Sequence, residues 1–371
     1  MLDKKIFIIA GEDSGDLHGS HLIREMKKID SNISFYGIGG NKMIKAGLRP
    51  VEHIKNLNVI GIVEVLKHYP RIKKIFNQTI GHIKKLSPEQ IILIDYPGFN
   101  MRLAKKIKKT GIPISYFILP QAWAWNSKRA EQLKSLCDKL ISIIPFEKTW
   151  FEKRKIDVHF VGHPLTTILD TRFEKNFLYK KYNIDKDKKI VALLPGSRKS
   201  EIKRHWEIFL DSIKRLNNES KHKIQPVLIQ APNVNINNVP KNIITIKETD
   251  HYEALYSADA AIVCSGTATL ETALLKCPMV VCYKLSSMTW FLAKKMSSVK
   301  HLSLVNLIVG KEVVTELLQN NMTSKKIVKE INYLLSKTGR VKWEKNYALL
   351  LGSLNIKKSN PYQNAARYIL H

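Results

Sequence analysis

KKIFIIAG (residues 4–11) and KKIVALLPGS (residues 188–197) are one design written twice. Each opens on lysine, runs through unbroken apolar residues and ends in a loop of small residues. Helical periodicity follows both, over residues 17–28 after the first and from Glu201 onward after the second. A strand with one wet face alternates apolar and polar residues. An unbroken run is instead buried on both faces, as in a parallel sheet covered by helices. Comparable runs recur at 90–94, 114–118, 140–144, 227–229, 260–264 and 279–282, with helical patterns between most of them. The alternation predicts an α/β protein with parallel sheets. The polar stretch 171–189 separates the halves, so the expected domains are 1–170 and 171–342. Residues 343–371 read as two further helices around Gly352 and Asn360-Pro361.

The length of 371 residues suits two domains at about 150 residues each. With 44% apolar and 25% charged residues the chain is globular, not disordered. Lys and Arg number 61 against 32 acids, a net charge of +29, but only 12 of the bases are Arg. Lysine is a solvated point charge and arginine the planar reader of phosphates and bases. The excess therefore points to a general attraction for anions and not to specific base readout. No helix-turn-helix, zinc or RNA-recognition motif accompanies it, which argues against a specific nucleic-acid partner. The four cysteines, Cys137, Cys264, Cys277 and Cys282, show no CxxC and are expected to be reduced, packed thiols. No apolar run approaches the ~18 residues of a membrane span, and the amino end does not read as a signal peptide. The expected location is cytoplasmic, with the membrane surface still accessible.

In open parallel sheets, ligands bind beyond the carboxyl ends of strands, so the residues after each apolar run are the candidates. Gly11-Glu12-Asp13-Ser14-Gly15-Asp16 is too acidic for a pyrophosphate cradle and suits sugar hydroxyls; alternatively it is a turn with Asp16 capping the helix. Asp95 ends a buried strand, where desolvation raises a carboxylate's pKa and suits it to take a proton from a hydroxyl. Backbone N–H groups could equally satisfy that carboxylate, and His18, His53 and His163 are rival bases by residue type. Pro195-Gly196-Ser197-Arg198 and Ser265-Gly266-Thr267 are anion-friendly loops, the second opening a helix with Glu271 one turn in. Neither is a Walker A motif. In IGIVEVLKHYPRIKKIF (60–76), Ile62, Leu66, Tyr69, Ile72 and Phe76 fall near one helical face flanked by lysines. Such a face can meet an anionic membrane or acyl chains, or simply cover a sheet. Exposed, Trp123 and Trp125 would stack on sugar or sit at a lipid interface; buried, they are core.

The motifs GEDSGD (11–16), YGIGGNKM (36–43), GIVEVL (61–66), DYPGFN (95–100), WAW (123–125), PFE (145–147) and VGHPL (161–165) occur in order. LLPGSR (193–198), SGTATLE (265–271), CPMVVCYK (277–284) and SLVNL (303–307) follow. The ordered set, from about residue 5 to 320, closely resembles the lipid-A-disaccharide synthases. The resemblance implies two Rossmann-like domains of the GT-B glycosyltransferase type, with a carboxyl-terminal helical segment returning to the first domain. It implies transfer of 2,3-diacylglucosamine from UDP to 2,3-diacylglucosamine 1-phosphate by an inverting displacement, without metal or cofactor, at an anionic membrane face. It implies Asp95 as the base, Glu12 and Ser14 on the acceptor side, and Arg198, Gly266, Thr267, Glu271 and Asn306 on the nucleotide side. The membrane or acyl contacts would be Ile62, Leu66, Tyr69, Ile72 and Phe76. A homodimer is compatible with this reading. Three positions depart from the family pattern: Asp13 for Ala, Gly98 for Asp and Val305 for Pro. The nearest rival is another GT-B UDP-N-acetylglucosamine transferase or 2-epimerase with a soluble substrate.

Overall fold

The computed structural model describes residues 4–57, 62–125, 127–169, 172–231, 234–286, 290, 300–354 and 360–371. The chain divides into two compact units, Met1–Pro164 with Ile356–His371, and Leu165–Asn355. The first holds a seven-stranded sheet in the order β3-β2-β1-β4-β5-β6-β7. Its strands are β1 (Lys4–Ile9), β2 (Ile33–Gly39), β3 (Leu48–His53), β4 (Gln90–Ile94), β5 (Ile114–Phe117), β6 (Lys139–Ser142) and β7 (His159–Phe160). The second holds a six-stranded sheet in the order β10-β9-β8-β11-β12-β13. Its strands are β8 (Lys189–Leu194), β9 (Ile224–Leu228), β10 (Ile244–Thr245), β11 (Ala260–Cys264), β12 (Met279–Tyr283) and β13 (Glu316–Leu318). Every pairing in both sheets is parallel. This is the two-Rossmann-like, α/β architecture.

The unbroken apolar runs explain the central strands. Ile6–Ile9 stand beside Gln90–Leu93, and Val191–Leu194 beside Ala260–Val263, and all but Gln90 of these are apolar and buried. At about 1.5–3 kcal/mol for each fully buried Ile, Leu or Phe, these strands hold while their loops stay polar. Phe7, Ile9, Leu93 and Tyr116 anchor one core, and Val191, Leu193, Phe209 and Ile262 the other. The four cysteines are buried, free thiols.

Strand β2, ISFYGIG, escaped the reading of apolar runs because its glycines look like a loop. Gly37 adopts φ +142°, and a Cβ there would lie 1.9 Å from the Ile8 carbonyl oxygen. Only glycine lets β2 pass this close to β1 there, and on its other edge the β2–β3 register shifts between Gly37 and Ile38.

The last helix, Pro361–Leu370, belongs to the first unit. A helix carboxyl end carries partial negative charge and unpaired carbonyls. Lys139 meets them, its Nζ donating to the Tyr368 (2.9 Å) and Ile369 (3.2 Å) carbonyls, and Gln90 donates to Ile369 as well. At the other end the Tyr362 hydroxyl pairs with His18 Nδ1 at 2.9 Å, and its ring stacks on His21. The preceding helix, Lys337–Leu354, belongs to the second unit. Among the described residues, no helix is long and apolar enough to cross a membrane.

Candidate active site

In each sheet the first strand sends its successors to one side and a later strand to the other. The order therefore reverses between β1 and β4 in the first unit, and between β8 and β11 in the second. Loops diverge at such switch points and leave a crevice at the carboxyl ends of the strands. The flanking loops are Gly11–Ser14 and Asp95–Gly98 in one unit, Pro195–Arg198 and Ser265–Thr267 in the other. They carry most of the residues singled out from sequence.

In the first unit the acidic loop is divided in function. Glu12, Asp13 and Ser14 are exposed. Asp16 is buried; its Oδ1 accepts from the N–H groups of Gly40 (2.7 Å) and Met43 (3.0 Å), and Oδ2 from Lys42 (3.0 Å). It does not cap its own helix, Asp13–Ile29, but the start of the next, Asn41–Lys45. That contact joins GEDSGD to GGNKM.

Asp95 sits at the end of β4 with φ +44°, followed by Tyr96 at +49°. Two consecutive left-handed residues, one of them Tyr, cost on the order of 1–2 kcal/mol each. Burial first, then the nearby Glu12 charge, lift the Asp95 carboxyl from 3.8 to about 6, against a hydrogen bond from the Tyr96 N–H. The Tyr96 ring lies over Gly11, where a Cβ would meet ring carbons at 2.2 Å, so the two loops are fitted face to face. Gly98 is exposed with open space around it.

The rival bases are engaged elsewhere. His18 is occupied by Tyr362, and burial, then His21 and Lys42, lower it to about 4. His163 is buried and lowered to about 3, chiefly by burial. His53 Nδ1 accepts from the Lys55 N–H, and its Nε2 pairs with Asn41.

WAW and PFE meet in the same unit. Trp123 is buried and its indole N–H donates to Glu147 Oε1 at 2.8 Å, while Ser142 donates to Oε2. Burial pushes the Glu147 carboxyl up to about 7. Trp123 is thus core, packed edge-on to Phe146; the side chain of Trp125 lies outside the described residues.

In the second unit Gly196 has φ +130° and faces Glu201. Glu201 Oε2 accepts from the N–H groups of Ser197 (3.0 Å) and Arg198 (3.2 Å), and Tyr283 donates to Oε1. The loop's own amides are therefore taken, and what it presents is the exposed Arg198 guanidinium, 4.0 Å from Glu201. His205 braces this loop to the next strand end, its ring pairing with the Pro195 carbonyl (2.9 Å) and accepting from the Lys284 N–H (3.0 Å). Burial lowers its pKa, which suits a neutral ring with the proton on Nδ1.

Gly266 (φ +146°) and Thr267 are exposed at the start of the helix Thr267–Leu274, which has no side-chain cap. One turn in, Glu271 accepts from Tyr252, and burial raises its carboxyl. Asn306 is buried with both ends of its amide engaged. Nδ2 donates to the Val314 carbonyl and Glu316, and Oδ1 accepts from the Val313 and Val314 N–H groups, all within 3.0 Å. It ties down a turn instead of presenting an amide. Val305 is buried in the same helix, which Ser303 caps.

Of the five residues proposed for lipid contact, Tyr69 is exposed, whereas Ile72 and Phe76 pack against the core, Phe76 edge-on to Phe99. The side chains of Ile62 and Leu66 lie outside the described residues. Among the described residues no group of three His, Cys, Asp or Glu could hold a metal. Asp16, His205 and the Trp123–Glu147 pair act through partners distant in sequence, which spacing does not reveal; Glu201 pairs locally with Ser197 and Arg198, and its Tyr283 contact is distant. For Asp16, Trp123 and Glu147 the sequence signal was their place inside the ordered motifs; Glu201 and His205 lie just past LLPGSR, outside them.

Residues 6–369 match the family model described as lipid-A-disaccharide synthetase. A lipid-A-disaccharide synthase of Geobacter metallireducens is 36% identical over 339 residues, 90% of this chain and 88% of its own. One from Coxiella burnetii is 34% identical over 374 residues, covering 100% of this chain and 98% of its own. Among solved structures, a glycosyltransferase of kitacinnamycin aligns with TM-score 0.65 at 13% identity, over 100% of this chain and 99% of that one. A UDP-GlcNAc 2-epimerase from Neisseria meningitidis aligns with TM-score 0.61 at 14% identity, over 99% and 98%. At such identities the structural likeness speaks to the fold alone.

Proposed function

The chain belongs to the lipid-A-disaccharide synthetase family, and from that premise we propose its reaction in detail. It transfers 2,3-diacylglucosamine from UDP-2,3-diacylglucosamine to the 6-hydroxyl of 2,3-diacylglucosamine 1-phosphate. The products are the β-1,6-linked disaccharide 1-phosphate and UDP. A β product from an α-linked donor requires one in-line displacement. The acceptor oxygen forms the new bond to the anomeric carbon as the bond to UDP oxygen breaks, and the hydroxyl proton passes to Asp95. The observation that carries this reading is the raised carboxyl of Asp95 at the β1/β4 switch point, near the exposed Glu12. With a pKa of about 6 it is ionised at neutral pH yet more basic than an ordinary carboxylate.

On the nucleotide side, Arg198 and the N–H groups at Gly266 and Thr267 take up charge on the departing diphosphate. Glu271 accepts from the ribose hydroxyls, and Asn306 acts indirectly through the turn it ties down. Both substrates are amphipathic. The net charge of +29 and the exposed Tyr69 beside Lys73 and Lys74 support work at an anionic membrane face.

The test is product formation from the two substrates in mixed micelles with chelator present. Disaccharide phosphate with stoichiometric UDP is the expected result. UDP binding without product would direct the search to other acceptors.

A further inference from the structure

The main chain at Asp95 is gripped more heavily than a strand end requires. Its N–H donates to the Phe117 carbonyl at 3.1 Å. Its own carbonyl receives two side chains, the Tyr116 hydroxyl at 2.7 Å and Asn100 Nδ2 at 2.8 Å. Asn100 Nδ2 also donates to the Ile94 carbonyl at 3.1 Å. Both gripping residues are fully buried. Asn100 is held there at a cost, because among the described residues its buried Oδ1 has no hydrogen-bond partner. An orphaned buried acceptor costs on the order of 1–3 kcal/mol, and a residue serving only the core would not need one. The grip falls on Asp95, the first of two consecutive left-handed residues, Asp95 and Tyr96, at the switch point.

We propose that Asn100 and Tyr116 are positioning residues for Asp95. Together they hold its carbonyl and fix the left-handed turn, and so fix where the carboxylate stands. The inference rests on the reading of Asp95 as base and deepens it. Neither residue touches substrate. Asn100 reaches back five residues from inside the helix Pro97–Ile107, and Tyr116 reaches across from β5. One side chain thus fastens the turn to its own helix and the other fastens it to the neighbouring strand.

The test uses the full chain with Tyr116→Phe, which keeps the ring, and Asn100→Ala, which removes both the donor and the orphaned acceptor. Three quantities are measured for each: kcat and KM for the UDP-sugar, melting temperature, and the titration of Asp95 by 13C-carboxyl NMR. The expected result is a kcat lower by about 10- to 100-fold with KM within about twofold, as for misplacement of a reacting group. The Asp95 titration should move down toward the ordinary carboxylate range as the freed turn lets water in. Asn100→Ala should lose far more activity than stability, since it also removes the orphan.

An unchanged kcat and titration in both folded variants would overturn the proposal. So would a lowered melting temperature with normal turnover and titration per folded molecule, because that marks a structural role only. Failure of the base reading is a separate result: Asp95→Ala would then keep its turnover, while the Asp95 titration in the two variants would still report on the grip.

Discussion

Gly11 and Asp16 stand five residues apart in the first unit, and so do Gly196 and Glu201 in the second. Each pair follows the first strand of a parallel sheet at its switch point, and each carboxylate binds backbone N–H groups. The two reach in opposite directions. Asp16 reaches forward to Gly40, Lys42 and Met43 and leaves the acidic loop behind it open. Glu201 reaches back to Ser197 and Arg198, closing its loop and leaving the guanidinium outermost. One topology thus yields an acidic mouth with a desolvated Asp95 and a basic mouth with Arg198 and an uncapped helix. Topology decides where a site forms, and the reach of single side chains decides its charge.

The contrast breaks most plainly at Asp95. Asp95→Asn should lower kcat about 1,000-fold while UDP still binds, read by single-turnover kinetics and calorimetry. Loss of UDP binding would mark Asp95 as structural. In the wild type, kcat/KM should fall as pH drops through about 6, since the base must be ionised. The same substitution should raise stability at neutral pH by on the order of 2 kcal/mol. The sign follows from a folded-state value of about 6 against an ordinary 3.8. The folded protein holds a proton the unfolded chain has lost, so stability falls as pH rises through that window and the deficit is full above it.

At the basic mouth, Arg198→Ala should weaken UDP binding about 10- to 100-fold by calorimetry, the worth of a charge-assisted contact. Unchanged affinity would remove its phosphate role. Asp16→Asn and Glu201→Gln then sharpen the comparison. Each should cost about 1–3 kcal/mol in denaturant titration, because backbone donors lose a charged acceptor. Only Glu201→Gln should also raise KM for the UDP-sugar. Equal kinetic effects would mean that the two carboxylates do one job. The smallest expected effect is Tyr69→Ser, about a threefold loss of partition onto anionic vesicles with an unchanged melting temperature.

Much of the fold is legible in the chain because a strand buried on both faces leaves an unbroken apolar run. That holds for β1, β4, β8 and β11, the strands flanking both switch points. It fails for β2, where Gly37 is needed to pass Ile8, and for the two- and three-residue strands β7, β10 and β13. The candidate loops are legible for the same reason, as whatever follows those runs.

Partnership is not legible. Asp16 reads as a cap for its own helix, yet its N–H partners lie 24 to 27 residues away. Asn306 reads as a ligand side chain, and its amide is spent on Val313, Val314 and Glu316. The helix carrying Tyr69, Ile72 and Phe76 has an apolar stripe that suits a membrane or a core equally, and packing assigns the latter two to the core.

The sequence by itself determined the fold class, the doubling of the design, the family and the loops that end the buried strands, because apolar continuity and motif order are properties of the linear chain. The tertiary structure alone decided which carboxylates are spent on backbone and which stays desolvated, and that Trp123 is core. Those outcomes depend on groups that meet only when strands distant in sequence lie side by side.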